Sequence, residues 1–414
     1  MTHCLRPLAA AALALCAIST HAQETFKIAY IDPLSGPFAN VGELMLTHTQ
    51  YAVEDINARG GLWKGTQLQL LQFDSKLSAQ ESQSALQAAI DQGARAIVTG
   101  GSGSSVVTAL VQAATRHNQR NPGKEILVLN HSSIDPELTG KACSFWHFQF
   151  EANTAMKMKA IANYIKGQAD IQKVYLLNQD YAHGKQWAHY GRELVSLARP
   201  DIQFTGETLH PIGRVKDFAP YVSRIKGSGA SSVITGNWGQ DMALLLKAAG
   251  EAGYDLRYFN HSAGSVPGTV LAVSQAGRGQ LTWVAEWHPG QADTPRVDAL
   301  AAAYKAKTGK DFLAPRIDLT PRFLAAAINK AQSTDPVKVA RALEDLTVET
   351  PLGPLRMRGE DHQLLLPQVV NTIAPVDGKA VKLGWEGTRY GFRTDAVYSG
   401  NELAQGSDCK MKRP

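Results

Sequence analysis

The sequence predicts an α/β protein made of two doubly wound, parallel-sheet lobes. Three observations carry this prediction. Short apolar runs alternate with helical patterns from Phe26 onward, the same alternation begins afresh at Val174, and a chain of 414 residues exceeds what one hydrophobic core supports.

In the first half, Phe26–Ile31 reads as a strand. Leu44, His48, Tyr51, Ala52 and Ile56 then share one helical face, and Gly60-Gly61 stops that helix. A strand from Leu68 closes at Asp74, a helix runs from Ser78 to Gln92, and Arg95–Thr99 is the third strand. A helix from Val106 to His117 and the strand Ile126–Leu129 follow. In the second half, Val174–Leu177, Ile202–Phe204, Ser232–Thr235 and Leu256–Phe259 are strands. The helical patterns between them include Lys185–Ala198, the face Phe218, Tyr221, Val222 and Ile225, and Met242–Ala252. After Thr282–Trp287 come helices at Pro295–Thr308, Pro321–Gln332 and Pro336–Leu346, then a Gly-rich, β-like segment from Leu352 to Tyr398.

Met1–Ala22 has the form of a secretory leader. Arg6 precedes an apolar stretch, Leu8–Ile18, and Thr20-His21-Ala22 supplies a cleavage site. That stretch is shorter than the ~20 residues a membrane span requires. Cys16 follows Leu15, where a lipidation signal would place a small residue. The mature chain is therefore expected in the periplasm. Loss of Arg6 with the leader lowers the formal charge from +5 to +4. The basic residues are scattered, the longest cluster being Lys410-Met411-Lys412-Arg413, so no concentrated face for nucleic acid is expected. Of the four cysteines, Cys143 and Cys409 survive cleavage. In an oxidising compartment their pairing is expected, stapling the C-terminal tail to the middle of the chain; two free thiols are the alternative.

Two doubly wound lobes leave a cleft, and ligands of open parallel sheets sit beyond the carboxyl ends of the strands, against helix N-termini. Gly100-Gly101-Ser102-Gly103-Ser104-Ser105 stands at such a position. Its glycines permit close backbone approach, and its hydroxyls and the following helix start suit a carboxylate. A serine-rich helix cap without a ligand is the plainer reading. Asn130-His131-Ser132-Ser133 follows the next strand; His131 is either a ligand contact or a satisfied structural histidine. In the second lobe the strand ends carry Tyr181, Trp238 and the run Asn260-His261-Ser262-Ala263-Gly264. Tyr181 and Trp238 are flat surfaces for stacking, or ordinary packing under loops.

Enzymatic and cofactor chemistry finds little support. The glycine run lacks the third glycine of a dinucleotide fingerprint and the lysine of a phosphate loop. The run ending at Gly264 resembles a nucleophile elbow, but Asn260 stands in place of its first glycine. No compact metal-ligand spacing occurs, and neither a cofactor nor a metal is expected.

At these residues the chain resembles the leucine/isoleucine/valine-binding protein family, the type I periplasmic binding proteins that serve ABC importers. Asp32-Pro33-Leu34-Ser35-Gly36-Pro37-Phe38-Ala39 with Gly42 is similar to the family's first loop, and Ala52-Val53-Glu54-Asp55-Ile56-Asn57 with Gly60-Gly61 to its first helix and turn. Pro136-Glu137-Leu138-Thr139 and Gln179-Asp180-Tyr181 with Gly184 extend the similarity over nearly all of the mature chain. The resemblance implies a Venus-flytrap fold with three hinge crossings, near Trp146–Phe150, Val284–Trp287 and Thr350–Gly353. The resulting domain division is a leader at 1–22, lobe one at 23–147 plus 286–350, lobe two at 148–285 plus 351–400, and a tail at 401–414. It also implies closure around a small molecule, a monomer, and delivery to a membrane permease.

Carried over by position, the ligand set is Ser102, Gly103, Ser104, Ser132 and Ile134 from lobe one and Tyr181 and Trp238 from lobe two; His131, Ser262 and Gly264 join it by placement. Amino-acid binders of the family hold the ligand's ammonium with a carboxylate after the fourth strand of lobe two. Here that stretch is His261-Ser262-Ala263-Gly264, without an acid, and Asp180 and Asp241 are the candidates to substitute for it. An unpaired buried ammonium costs several kcal/mol. An organic or aromatic acid is therefore expected over a branched-chain amino acid. An exported sensor that docks on a membrane receptor is the competing functional class.

Overall fold

A computed structural model describes residues 24–277 and 280–414; the leader and its cleavage site lie outside the described residues. Each lobe is built on one sheet whose strands alternate between two cores. In β1 (Thr25–Asp32), Phe26, Ile28 and Tyr30 enter one core, whereas Ala29 and Ile31 enter the other. This period of two, with both faces apolar, is what a strand covered by helices on each side requires. Helix α1 (Ala39–Ala58) covers the first face. The strand β2 (Gln67–Asp74) pairs with β1 in parallel, from Thr25↔Gln67 to Asp32↔Asp74. On the other face lie α2 (Ala79–Asp91), which leads to β3 (Ala96–Thr99), and α3 (Ser104–Arg120), which leads to β4 (Leu127–Asn130) and β5 (His147–Gln149). The sheet order is β2-β1-β3-β4-β5, all parallel.

The chain then crosses to lobe two. There α4 (Thr154–Lys166), β6 (Lys173–Gln179), α5 (Ala182–Ala198) and β7 (Gln203–His210) are followed by α6 (Ala219–Gly227), β8 (Ser232–Ile234), α7 (Gln240–Glu251), β9 (Arg257–Asn260), α8 (Thr269–Ala276) and β10 (Gln280–Ala285). In β6, Tyr175 and Leu177 face the core under α6, α7 and α8, and Val174 and Leu176 face that under α4 and α5. After Glu286 the chain returns to lobe one for α9 (Pro295–Thr308), α10 (Pro315–Ala331), α11 (Pro336–Leu343) and the hairpin β11 (Thr347–Thr350) and β12 (Gly353–Arg356). It ends in lobe two with β13 (Gln368–Pro375), β14 (Tyr390–Tyr398) and α12 (Gly400–Leu403). The second sheet runs β14-β13-β10-β9-β8-β6-β7. Its last two strands are antiparallel additions to a parallel core, since β13 runs against β10 and β14 against β13.

Three expectations need correction. Thr350–Gly353 is not a crossing. Thr350 pairs with Gly353 as the turn of the β11–β12 hairpin, and Leu355, Met357, Leu364 and Leu366 all bury in the lobe-one core. The third crossing runs beside the first one, from Gln363, which bridges Gln149 in parallel, to the start of β13 at Gln368. Next, α10 begins at Pro315 rather than Pro321. Two prolines six residues apart both satisfy the N1 preference, and the earlier one starts the helix, leaving Pro321 inside it. Finally, β7 is far longer than Ile202–Phe204. As an edge strand it carries half-exposed polar residues, such as Thr205 and Thr208, that no apolar run announces.

The tail does not hang free. Leu403 buries in lobe two, and Cys409 then forms a disulfide with Cys143 of lobe one, 266 residues away in sequence. Ser407 Oγ donates to Thr139 O at 3.0 Å, Met411 packs on the lobe-one core, and Arg413 Nε reaches Glu344 Oε1 at 2.6 Å. No described helix is long and apolar enough to cross a membrane.

Candidate functional site

The strand ends of both lobes meet across a cleft that, closed as it stands, keeps a cavity of about 50 Å³. Its lobe-one wall is shaped by Asp32 at the end of β1. Asp32 Oδ1 accepts from Gly100 N at 3.1 Å, Ser102 N at 3.0 Å and Ser102 Oγ at 3.1 Å. The loop between β3 and α3 is thus drawn inward on Ser102, and the residues flanking it are pushed to the cleft. Gly103, at φ 82° and ψ 160°, holds a conformation open to glycine alone, and it places Ser104 as the first residue of α3. Asn130 does the corresponding work after β4, accepting from Ser133 N at 2.8 Å. Ser133 Oγ then lies 3.3 Å from Ser104 Oγ. Gly103, Ser104, Ser132 and Ile134 therefore line the cleft.

Ser102 and His131 do not. Ser102 is spent on Asp32 and on Ser75 Oγ, 2.8 Å away. His131 is fully buried, its ring stacked on Tyr30 and its Nε2 3.2 Å from Asp32 Oδ2. The carboxylate at the strand end captures both groups, which makes them supports of the wall.

In lobe two, Tyr181 and Trp238 face the cleft and are joined by an indole N–H that donates to Tyr181 Oη at 2.8 Å. Burial raises the Tyr181 phenol above its usual range, so it stays protonated. The Trp238 ring packs on Phe38 of lobe one with centroids 4.3 Å apart, and Gln186 Nε2 donates across the gap to Asp135 Oδ1 at 2.6 Å. The lobes are closed on one another. Ser262 lines the cleft, but Gly264 does not: a β-carbon there would stand 2.2 Å from the Trp283 ring, so its glycine serves packing inside lobe two. Neither candidate counter-charge reaches the cleft. Asp180 pairs with Lys185 at the surface, and buried Asp241 accepts from Gln179 Nε2 at 2.7 Å and Gly213 N at 2.9 Å. No Asp or Glu is among the described lining residues.

Behind the cleft lies a buried cluster of four charges. Arg316, at the start of α10, pairs with Glu151 and Glu286, one from each of the first two crossings, and donates to His131 O at 3.0 Å and Ser132 Oγ at 3.5 Å. Lys157 on α4 donates to Glu151 Oε1 at 2.9 Å, His261 O at 2.9 Å and Val284 O at 3.1 Å. Burial pushes the Glu286 carboxyl up, yet Arg316 and then Lys157 outweigh it and hold its pKa below the ordinary value. The cluster is electrically balanced, and it touches a cleft-lining loop in each lobe.

The chain matches the periplasmic binding protein family over residues 25–374. It is 32% identical over 420 residues to a Brucella abortus protein named Leu/Ile/Val-binding protein homolog 4, covering 98% of this chain and 97% of that one. The chain belongs to the periplasmic binding protein family. Within it the similarity is to the leucine/isoleucine/valine-binding group. The fold matches a closed Brucella ovis leucine-, isoleucine-, valine-, threonine-, and alanine-binding protein with a TM-score of 0.84 and 30% identity, over 94% of this chain and 100% of the other. It also matches an ABC-transporter solute-binding protein from Rhodopseudomonas palustris BisB5 in complex with 3,4-dihydroxybenzoic acid, with a TM-score of 0.77 and 16% identity, over 91% and 98% of the two chains.

A periplasmic binding protein of this group is a transport receptor, not an enzyme. Several cleft residues of this one escape a reading of its sequence. Val41, Leu44 and Met45 of α1 line the lobe-one side; their apolar spacing is that of any core-facing helix. Arg316 lines it too, hidden by the misplaced start of α10. His183 and His261 line lobe two and sit beside the residues singled out there.

Proposed function

We propose that this protein captures a small carboxylate-bearing solute between its lobes in the periplasm and delivers it to the permease of an ABC importer. The observation that carries this reading is the asymmetry of the closed cleft. One wall offers the Ser104, Ser132 and Ser133 hydroxyls and the start of α3, the other offers Tyr181 and Trp238, and no described lining residue is an acid. Hydroxyls and unpaired N–H groups suit a carboxylate. A flat aromatic wall suits an apolar or aromatic body. An ammonium group would enter without a counter-charge, which disfavours an amino acid by several kcal/mol. Organic and aromatic acids are therefore the preferred ligands. The second reading, a branched-chain amino acid, draws on the names of the Brucella relatives. Under either reading the leader is cleaved after Ala22 and the protein acts as a monomer.

A thermal-shift panel of benzoate, 4-methylpentanoate, leucine and valine tests the ligand class. A ligand held only by the folded protein, at 100 times its Kd, adds about 2.7 kcal/mol. Stabilisation by the acids supports the proposal; strong stabilisation by leucine or valine with none by the acids refutes it.

A further inference from the structure

The two lobes repeat one short sequence at the same place. Asn130-His131-Ser132 closes β4, and Asn260-His261-Ser262 closes β9. The asparagines act alike: Asn130 Oδ1 accepts from Ser133 N at 2.8 Å, and Asn260 Oδ1 accepts from Ala263 N at 2.8 Å. The histidines diverge. His131 turns away from the cleft to Asp32. In lobe two, Asn178 occupies the place of Asp32, accepting from Gly236 N at 2.6 Å as Asp32 accepts from Gly100 N. An amide offers no anion to a histidine, and His261 lines the cleft instead.

There it meets His183 edge-on, with ring centroids 4.4 Å apart. His183 Nε2 lies 3.2 Å from the Gly236 carbonyl, which makes that nitrogen the donor and leaves Nδ1 a lone pair. Burial holds His183 down at about 4. Burial, followed by His183, Lys157 and Arg316, holds His261 well below its ordinary value. Both side chains are more than nine-tenths buried, and neither Nδ1 has a hydrogen-bond partner. Trp187, packed against both rings, likewise has an unpartnered indole N–H. Buried polar atoms are nearly always satisfied, so the His183 Nδ1 lone pair points to a missing donor, and the His261 Nδ1 to a missing partner beside it.

We propose that His183 and His261 are specificity-determining residues, accepting hydrogen bonds from a neutral donor on the part of the ligand that faces lobe two. The ligand class is then a carboxylic acid that also carries a hydroxyl or an amide N–H. This inference rests on the carboxylate reading above.

The test compares matched acids by isothermal titration on the whole protein: benzoate with 4-hydroxybenzoate, and 4-methylpentanoate with its 2-hydroxy derivative. In the wild type, the hydroxylated member of at least one pair binds about tenfold more tightly. His261→Phe or His183→Phe, which removes the acceptor but keeps a flat ring, brings the two members of that pair within about twofold of one another. His261→Gln, which restores an acceptor, recovers part of the preference. Equal binding of both members of every pair by the wild type overturns the inference. So does a preference that survives both Phe variants, or a crystal structure of the complex in which both Nδ1 atoms meet only water. Binding of no carboxylate at all overturns the proposed function itself, and this inference with it.

Discussion

Replacing Lys157 with methionine tests whether the buried charge cluster supports the folded cleft. The ammonium is fully buried and makes three contacts, to Glu151 Oε1, His261 O and Val284 O. Methionine fills most of the same volume but leaves two carbonyls short of a donor and Glu151 balanced by Arg316 alone. Removing one partner of a buried pair costs about 3–5 kcal/mol. For a chain of 414 residues, an unfolding entropy of about 2.1 cal/mol/K per residue gives roughly 0.9 kcal/mol/K, so the thermal midpoint falls by roughly 3–6 °C. Differential scanning calorimetry at pH 7 reads this directly, with Lys166→Met, at an exposed position of the same helix, as the control. A Lys157→Met midpoint within 1 °C or so of both wild type and control would refute the view that this cluster is held by ion pairing.

Gly103→Val combines a backbone strain of about 1–3 kcal/mol with a side chain driven toward Tyr181, whose Cε2 would stand 3.3 Å from the new β-carbon. Ligand affinity falls at least about tenfold, read by titration, and small-angle scattering shows lobes that no longer close on ligand addition. Ser104→Ala weakens carboxylate binding about fivefold to tenfold with an unchanged thermal midpoint. Acid destabilises the protein early. Burial depresses His48, His183 and His288 to about 4 and His147 to about 3, so below the ordinary value near 6.5 the unfolded chain binds more protons than the folded one. Stability is complete above pH ~6.5 and is lost as pH falls toward 4, by up to about 1.4 kcal/mol per pH unit for each histidine; a thermal midpoint flat between pH 7 and pH 5 contradicts this. Cys143→Ser, or reduction, costs about 2–5 kcal/mol, read as a lower midpoint under reductant.

What the sequence disclosed followed the strength of the local signal. The alternation from Phe26 and again from Val174 marked both sheets, because strands covered on each face are continuously apolar. Gly103, Ser104, Ser132, Tyr181 and Trp238 were legible because a strand end followed by a helix start fixes where a side chain must stand. Direction was not legible. Ser102 and His131 occupy equally good positions, and only the carboxylate of Asp32, 70 residues before the first and 99 before the second, turns them inward. Gly264 escaped for a similar reason, since its lack of a side chain makes room for Trp283, a contact between the turn after β9 and the strand β10. Arg316 was obscured by Pro321, a credible helix start that tertiary packing placed inside a helix.

The tail gives the lobes a fourth attachment. From Leu403 in lobe two to Cys409 in lobe one the chain has only six residue steps, and a fully extended run of that length spans roughly 20 Å. The run lies against the segment that leads into the third crossing, where Arg358 Nη1 donates to Gln405 O at 2.9 Å. A hinge held at several points along one edge bends readily about that edge and resists twisting across it. Beyond closing the tail onto lobe one, the disulfide is thus placed to favour opening and shutting, like a book, over the turning of one page against the other.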